Sequence, residues 1–371
     1  MKSYDIIVIG AGIAGASVAA HLARTKRVCI LEMEERAGFH STGRSAASFE
    51  PNYGPPPMLA FTRASESFFN GPPQGFTDAP LLTPRESLFL VSEGQEDAAD
   101  NLLAKASELG EISERAAREV FPVLRENYAR RVFLDPNTGD LDVDLIHRGF
   151  LRQFRERGGD VFTSHEVKGL LRRDWQWQVA TAHGIFAAPV VVNAAGAWGD
   201  TIAKLGGVRP VGLQPKRRSI GVVPMDDHPG AADWPLVTDV GETWYCKPQS
   251  GKLIVSSADA TPVDPHDAYA DDMAIALGVE RMMEATTLTV ERLEHRWGGL
   301  RSFVRDGNPV VGFAPGSEGF FWLVGQGGYG IQSSPALAET AAALILETPL
   351  PVSVIGHGLE LTHISPERLH A

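Results

Sequence analysis

Cysteine is nearly absent. Cys29 and Cys246 are the only two in 371 residues, which excludes a disulfide framework and a cysteine-built metal site. Long apolar runs are missing too. Asp5 interrupts the N-terminal run and a glycine turn splits it, so it predicts neither a signal peptide nor a span, and no other stretch approaches the roughly 20 apolar residues a spanning helix needs. There is no dense Lys/Arg run. With 34 basic against 46 acidic residues the net charge is −12, and neither nucleic acid nor an anionic membrane is an expected partner. His40, His147 and His295 lack ligand spacing, so no metal is expected. These absences predict a cytoplasmic protein in a reducing compartment, and the length allows roughly two to three domains.

What is present begins at Tyr4. Ile6 to Ile9 leads into Gly10-Ala11-Gly12-Ile13-Ala14-Gly15, an Ala-rich helical pattern through Leu22, and a second apolar run, Val28 to Leu31, that stops at Glu32. The order is strand, tight turn, helix, strand. Gly10 lets the chain turn, Gly12 leaves bare backbone for a pyrophosphate, and Gly15 lets the helix pack close to the strand. The helix N-terminus offers unpaired N–H groups and the positive end of its dipole to phosphate. Glu32 sits where a carboxylate accepts hydrogen bonds from a ribose diol and repels a ribose phosphate. A dinucleotide other than an NADP-type ligand is expected.

Downstream, residues 36–47 are rich in small and hydroxyl side chains that can lie flat on a ligand. Residues 48–57 combine Pro51, Pro55, Pro56 and Pro57 with Tyr53-Gly54, a stiff segment with one pivot, as a lid requires. Helices are expected over 61–69, from an Asp142 N-cap to Gly158-Gly159, and over 268–284. The run Ala188 to Val192 reads as a buried parallel strand reaching Asn193-Ala194-Ala195-Gly196-Ala197-Trp198. Residues 215–300 change character and predict a second, mainly antiparallel sheet carrying helices. Near the end come the strand Phe320 to Val324, the turn Gly325 to Gly330, and a helix predicted from Ile331 to Ile345.

Three separated motifs, GAGIAG with Glu32, VVNAAGAW and GQGGYGIQSS, resemble the flavoprotein family of D-amino acid oxidase, glycine oxidase and monomeric sarcosine oxidase. The runs HSTGRSAA (40–47), GLQPKRRS (212–219), WGGLRSF (297–303) and QGGYGIQ (326–332) most resemble bacterial D-arginine dehydrogenase. The resemblance implies an α/β fold: a Rossmann-like, glutathione-reductase-type FAD domain over 1–80, 142–212 and 302–371. A substrate domain over 81–141 and 213–301, α+β on a mainly antiparallel sheet, would roof the flavin. It implies FAD contacts from Gly10, Gly12, Ala14, Gly15, Glu32 and Met33, from Ser41, Thr42, Gly43, Arg44, Ser45, Ala46 and Ala47 beside the flavin, and from Val167 at the adenine. Ala195 and Gly196, then Gly327, Tyr329, Gly330, Ile331 and Gln332 near the pyrimidine edge, complete that set. No cysteine follows Cys246, so the covalent attachment of sarcosine oxidases is excluded and FAD is expected to be noncovalent.

The same resemblance implies Arg218, Tyr245 and Arg301 as binders of a substrate carboxylate, Tyr53 on the lid, and the Gly328 carbonyl near the amine. The implied reaction is oxidative deamination of a D-amino acid by hydride transfer from Cα to flavin N5, giving an imine that hydrolyses to a 2-oxo acid and ammonia. Two positions depart from the D-arginine enzyme. Ser48 replaces a lid histidine, and Ser87 replaces the glutamate that meets the guanidinium, although Glu86 is adjacent and Glu50 lies on the lid. The preferred side chain is therefore open. Residues 259–262 lack the lysine that helps reduced flavin react with oxygen in sarcosine oxidase-like members, so electrons are expected to pass to a quinone or another carrier. A secondary, N-methyl amino acid needs the same carboxylate clamp and is the alternative substrate. A non-catalytic flavin-binding protein is a further reading.

Overall fold

The computed structural model describes residues 1–106 and 109–370. Its floor is a six-stranded sheet in the order 160–162, 28–31, 6–9, 190–193, 320–324, 310–313. All pairs are parallel except the last. Strands Ile6–Ile9 and Val28–Leu31 are buried throughout, because both faces are covered; hence their unbroken apolar runs. Val8 and Ile30 face a core shared with helices Ile13–Leu22, Val143–Glu156 and Ser334–Leu346. Ile7 and Cys29 face the opposite core, shared with an antiparallel layer that includes Val179 and Phe186. Period-two alternation thus assigns Cys29 to packing, and burial pushes its thiol pKa up.

The roof is a nine-stranded sheet in the order 261–262, 214–224, 252–256, 245–249, 236–239, 87–91, 131–135, 110–112, with 295–303 also paired to 214–224. Only 236–239 with 87–91 is parallel. One face packs on helix Asp272–Ala285 through Val223, Val255, Cys246 and Met282. The other face puts Ile220, Val222 and Ile254 against Ala46, Tyr245 and Trp297, toward the floor.

Several boundaries differ from the sequence expectation, for identifiable reasons. The run 188–192 splits at Pro189: Ala188 ends a hairpin strand and Val190 begins the parallel one. Proline has no N–H for a ladder, so the chain changes sheets there. The last helix starts at Ser334, not Ile331. A start at Ile331 would need Pro335 to donate to the Ile331 carbonyl, which it cannot. The helix expected over 61–69 begins at Pro56, because proline is tolerated in a first turn. The helix expected from 268 starts after Asp271, whose carboxylate accepts from the Met273 and Ala274 N–H groups. Asp142 caps Val143–Glu156 as expected, accepting from Leu145 N at 2.9 Å. Among the described residues no helix is long and apolar enough to cross a membrane.

Candidate functional site

Floor and roof enclose a cavity of about 390 Å³. Its floor edge is the first glycine turn. Gly10 has φ +101°, and a Cβ there would lie 2.6 Å from the Ala194 carbonyl oxygen; a Cβ on Gly15 would lie 1.9 Å from the Gly10 carbonyl oxygen. Both approaches require glycine. The Ile13 N–H at the helix start donates to Thr42 Oγ1 at 2.9 Å. Glu32 is nearly buried, and its two carboxylate oxygens accept from Ala11 N at 2.7 Å and Glu34 N at 2.9 Å. That fixes its orientation at the tip of the second strand. Gly12, Ala14, Met33, Val167, Ala195 and Gly196 line the same trough. Asn193, fully buried, shapes the turn beyond its strand by donating to the Gly199 carbonyl at 2.8 Å.

The segment 41–46 crosses the cavity between floor and roof. Ser41, Thr42, Arg44, Ser45 and Ala46 line it. Ser41 Oγ donates to the Leu300 carbonyl at 2.7 Å, and Trp297 Nε1 donates to the Arg44 carbonyl at 3.1 Å. The Arg44 guanidinium is engaged by the roof, donating to the carbonyls of Ala268 at 2.7 Å and Gly298 at 3.2 Å and pairing with Asp267. Gly43 and Ala47 stand behind this wall. Gly43 N donates to the Gly38 carbonyl, while the Ala47 carbonyl, at φ +61°, accepts from Leu141 N. Lys247, buried under the roof, donates to the Ala46 carbonyl at 2.6 Å and to Asp140 at 2.7 Å.

The roof side is built on two paired strands. Arg218 is opposite Gly299 and Lys216 opposite Arg301, so Arg218 and Arg301 project from one face, one pleat apart. Arg217, on the other face, pairs with Asp271 and lies 3.9 Å from Asp259. Arg218 and Arg301 have no such partner: Arg218 Nε donates to the Asp259 carbonyl at 2.8 Å, and Arg301 reaches the Tyr53 hydroxyl at 3.5 Å. Burial, then the like charge of Arg301, pulls the Arg218 pKa down. Among the described residues neither guanidinium forms an ion pair with a carboxylate, although the Asp259 charge acts on Arg218. Among the described residues the Tyr245 hydroxyl, Ser48 Oγ and Gln326 Nε2 are buried without a hydrogen-bond partner, and of these Gln326 lines the cavity; buried polar atoms in that state ask for a ligand.

Gly328 explains why Arg301 can lie as it does. A Cβ there would be 2.8 Å from Arg301 Cζ, so the guanidinium rests directly on the backbone of the glycine turn. Gly327, Gly330 and Ile331 line the cavity beside it. Tyr329 and Gln332 turn to the segment 50–53. The Tyr329 ring meets the Tyr53 ring at 5.0 Å, and Gln332 Oε1 accepts from Glu50 N at 2.8 Å. Tyr53 also donates to Glu242 at 3.2 Å. Ser87 is fully buried and donates to Glu50 Oε1 at 3.0 Å.

Sequence reasoning missed part of the wall. Trp198 and His40 line it with their rings 4.6 Å apart, and His40 pairs with Glu34 at 2.9 Å. His147, kept neutral by burial, sets the first turn through a 2.8 Å contact of Nε2 with the Ala11 carbonyl. The signal for Trp198 was its place directly after VVNAAGA and that for His40 its place at the head of HSTGRSAA; nothing local marked His147.

The glycine cradle, the fixed Glu32 carboxylate and the unpartnered Gln326 amide fit FAD, and neither buried cysteine lines the cavity. A glycine oxidase from Bacillus licheniformis is 26% identical over 370 residues, covering 94% of this chain and 95% of that protein. The crystal structure of glycine oxidase from Geobacillus kaustophilus shares the fold with a TM-score of 0.84 at 21% identity, covering 98% of each chain. L-proline dehydrogenase from P. horikoshii does so at 0.83 and 21%, covering 100% of this chain and 98% of that one. Residues 5–344 match the family described as DAO, FAD dependent oxidoreductase. A dinucleotide trough roofed by a sheet, together with that match over most of the chain, establishes that this protein belongs to the DAO family of FAD-dependent oxidoreductases.

Proposed function

We propose that the protein oxidatively deaminates a D-amino acid, gripping its carboxylate between Arg218, Arg301 and Tyr245 under the roof. The observation that carries this reading is the pair of half-buried guanidinium groups on one face of one sheet, neither with a carboxylate partner among the described residues. A carboxylate would supply the missing charge and accept from the Tyr245 hydroxyl, each charge-assisted bond contributing about 1.5–3 kcal/mol. Bound FAD would take the Cα hydride at N5, leaving an imine that hydrolyses to a 2-oxo acid and ammonia. The chain's residues bind and orient. The Gly328 carbonyl faces the amine, Tyr53 closes the lid and Ser48 supplies an unpartnered hydroxyl, so that positioning carries most of the rate. In this assignment 1–80, 142–212 and 302–371 hold FAD, and 81–141 with 213–301 hold the substrate. The D preference rests on the likeness of residues 212–219 and 297–303 to D-arginine dehydrogenase.

Residues 259–262 carry no lysine, and Lys247 is committed to Asp140 and the Ala46 carbonyl. We therefore assign the electrons to a quinone or another carrier instead of oxygen. Anaerobic mixing with D-, L- and N-methyl amino acids tests the reading. Bleaching of the flavin by D-substrates is expected; bleaching by L-isomers alone overturns it, and bleaching by N-methyl amino acids alone replaces it with secondary-amine oxidation. Slow return of colour in air is the outcome expected of a dehydrogenase.

A further inference from the structure

Glu50 is a carboxylate in an unusual position. Phe49 before it is fully buried in the floor-side core, while Glu50 points to the roof and accepts from Ser87 Oγ at 3.0 Å. Its backbone is held on both sides by Gln332, with Glu50 N donating to Oε1 at 2.8 Å and Nε2 donating to the Glu50 carbonyl at 3.4 Å. The same carbonyl accepts from Tyr53 N at 3.1 Å. The side chain is thereby fixed between the flavin-side turn and the lid tyrosine that reaches Arg301. Ser87 pairs with Leu236, and Thr238 pairs with Tyr245, so Ser87, Thr238 and Tyr245 stand on one face of the roof.

The charges around Glu50 are unbalanced. Asp140 is shared by Lys247 at 2.7 Å and Arg85 at 2.6 Å. Among the described residues Asp135 accepts from neutral donors, Asn52 Nδ2 at 2.8 Å and Asn137 N at 3.0 Å. With Glu50 ionised, three carboxylates (Glu50, Asp135, Asp140) face two cations (Lys247, Arg85), while the next guanidinium, Arg63, is held by Asn52 Oδ1 at 2.8 Å and the Pro51 carbonyl at 3.2 Å. We propose that Glu50, presented by Ser87, receives the cationic end of the substrate side chain, an ammonium or guanidinium group, and so sets substrate preference at this site. The inference rests on the D-amino acid reading above. A carboxylate carried by the lid thus serves where a roof residue carries only a hydroxyl.

The free carboxyl is poised to respond to pH. Burial pushes its pKa up to about 8, Ser87 and Lys247 pull it down, and Asp135 and Asp140 push it further up. A cation entering the site takes the place of the proton, whereas an uncharged side chain leaves it there.

D-lysine and D-norleucine, which differ by the terminal ammonium, give the kinetic test. In anaerobic flavin reduction the kcat/KM ratio of lysine to norleucine is expected to exceed ten at pH 9 and to fall about tenfold per pH unit well below pH 8. Glu50→Gln should collapse the ratio at least tenfold and flatten its pH profile. The pair 6-aminohexanoate and hexanoate, which cannot be oxidised at Cα, gives a second readout by thermal shift: only the aminated acid should lose its advantage in Glu50→Gln. A wild-type ratio that is flat with pH or favours norleucine, or equal stabilisation by the two acids, overturns the inference and leaves the proposed function standing. Failure of every D-amino acid to bleach the flavin, with 6-aminohexanoate still preferred, overturns the D-amino acid reading alone. Should Glu50→Gln not hold flavin, the wild-type pH profile decides.

Discussion

The two sheets that enclose the cavity present different chemistry to it. The floor presents backbone: glycines at 10, 12 and 15, the start of a helix, and one carboxylate locked by two N–H groups. The roof presents side chains from separate strands, Arg218, Tyr245 and Arg301, with Tyr53 added by the lid. Backbone positions are set within a turn, so the floor is rigid and common to any FAD. Side chains that converge across a sheet can be exchanged singly, so under the proposed function the roof sets substrate choice. Floor substitutions should therefore cost the cofactor, and roof substitutions should cost the substrate.

The largest effect is expected at the floor. Gly15→Ala would place a Cβ 1.9 Å from the Gly10 carbonyl oxygen, and no flexible side chain is available to yield. The turn and helix must separate, at more than the about 1–3 kcal/mol usual for overpacking, and the purified variant should lack the flavin absorbance of the wild type. Arg301→Met tests the roof. It should keep a full complement of flavin while kcat/KM falls by about one to two powers of ten, the loss of charge-assisted bonds. Loss of flavin in Arg301→Met, or its retention in Gly15→Ala, would erase the division between the sheets.

The floor was legible in the sequence because its chemistry is local. Three glycines, one helix pattern and Glu32 lie within 23 residues, from Gly10 to Glu32, and each acts through backbone geometry. The roof was legible only through family resemblance. Residues 217 and 218 are adjacent arginines, and strand alternation says that one faces the cavity but not which; pairing with Asp271 removes Arg217. Within the strand His295–Phe303, Gly298-Gly299 weakens any local strand pattern. Those glycines serve close packing instead: a Cβ on Gly298 would meet the Tyr269 carbonyl oxygen at 2.4 Å. Glu50 opposite Ser87 joins residues 37 positions apart, and no local pattern carries such a contact.

Stability against pH sharpens the comparison at the lid. Glu50 has a pKa of about 8 in the fold against an ordinary 4.5, so the fold binds its proton more tightly than the unfolded chain does. The stability contributed by the neutral carboxyl is fully present below 4.5 and is lost as pH rises through 8. Glu50→Gln keeps the neutral form at every pH. Its Tm advantage over wild type should therefore be near zero below pH 4.5, grow as pH rises toward about 8, and level off above that. A constant difference would show that Glu50 is ionised at no extra cost, and that the roof tolerates buried charge as freely as the surface does.

The smallest effect is also the one where substrate and stability part company. The Tyr245 hydroxyl is buried with no partner among the described residues, so the fold bears its desolvation without a compensating bond. Tyr245→Phe removes that burden and should leave Tm unchanged or raise it slightly, since an unsatisfied buried group costs about 1–3 kcal/mol. The same change deletes a donor to the substrate carboxylate, and kcat/KM should fall about three- to tenfold with flavin content intact. A floor contact cannot behave this way, because its donors already have partners or lie on the backbone. A drop in both Tm and kcat/KM would mean that the hydroxyl supports the fold and that the carboxylate is held by the arginines alone.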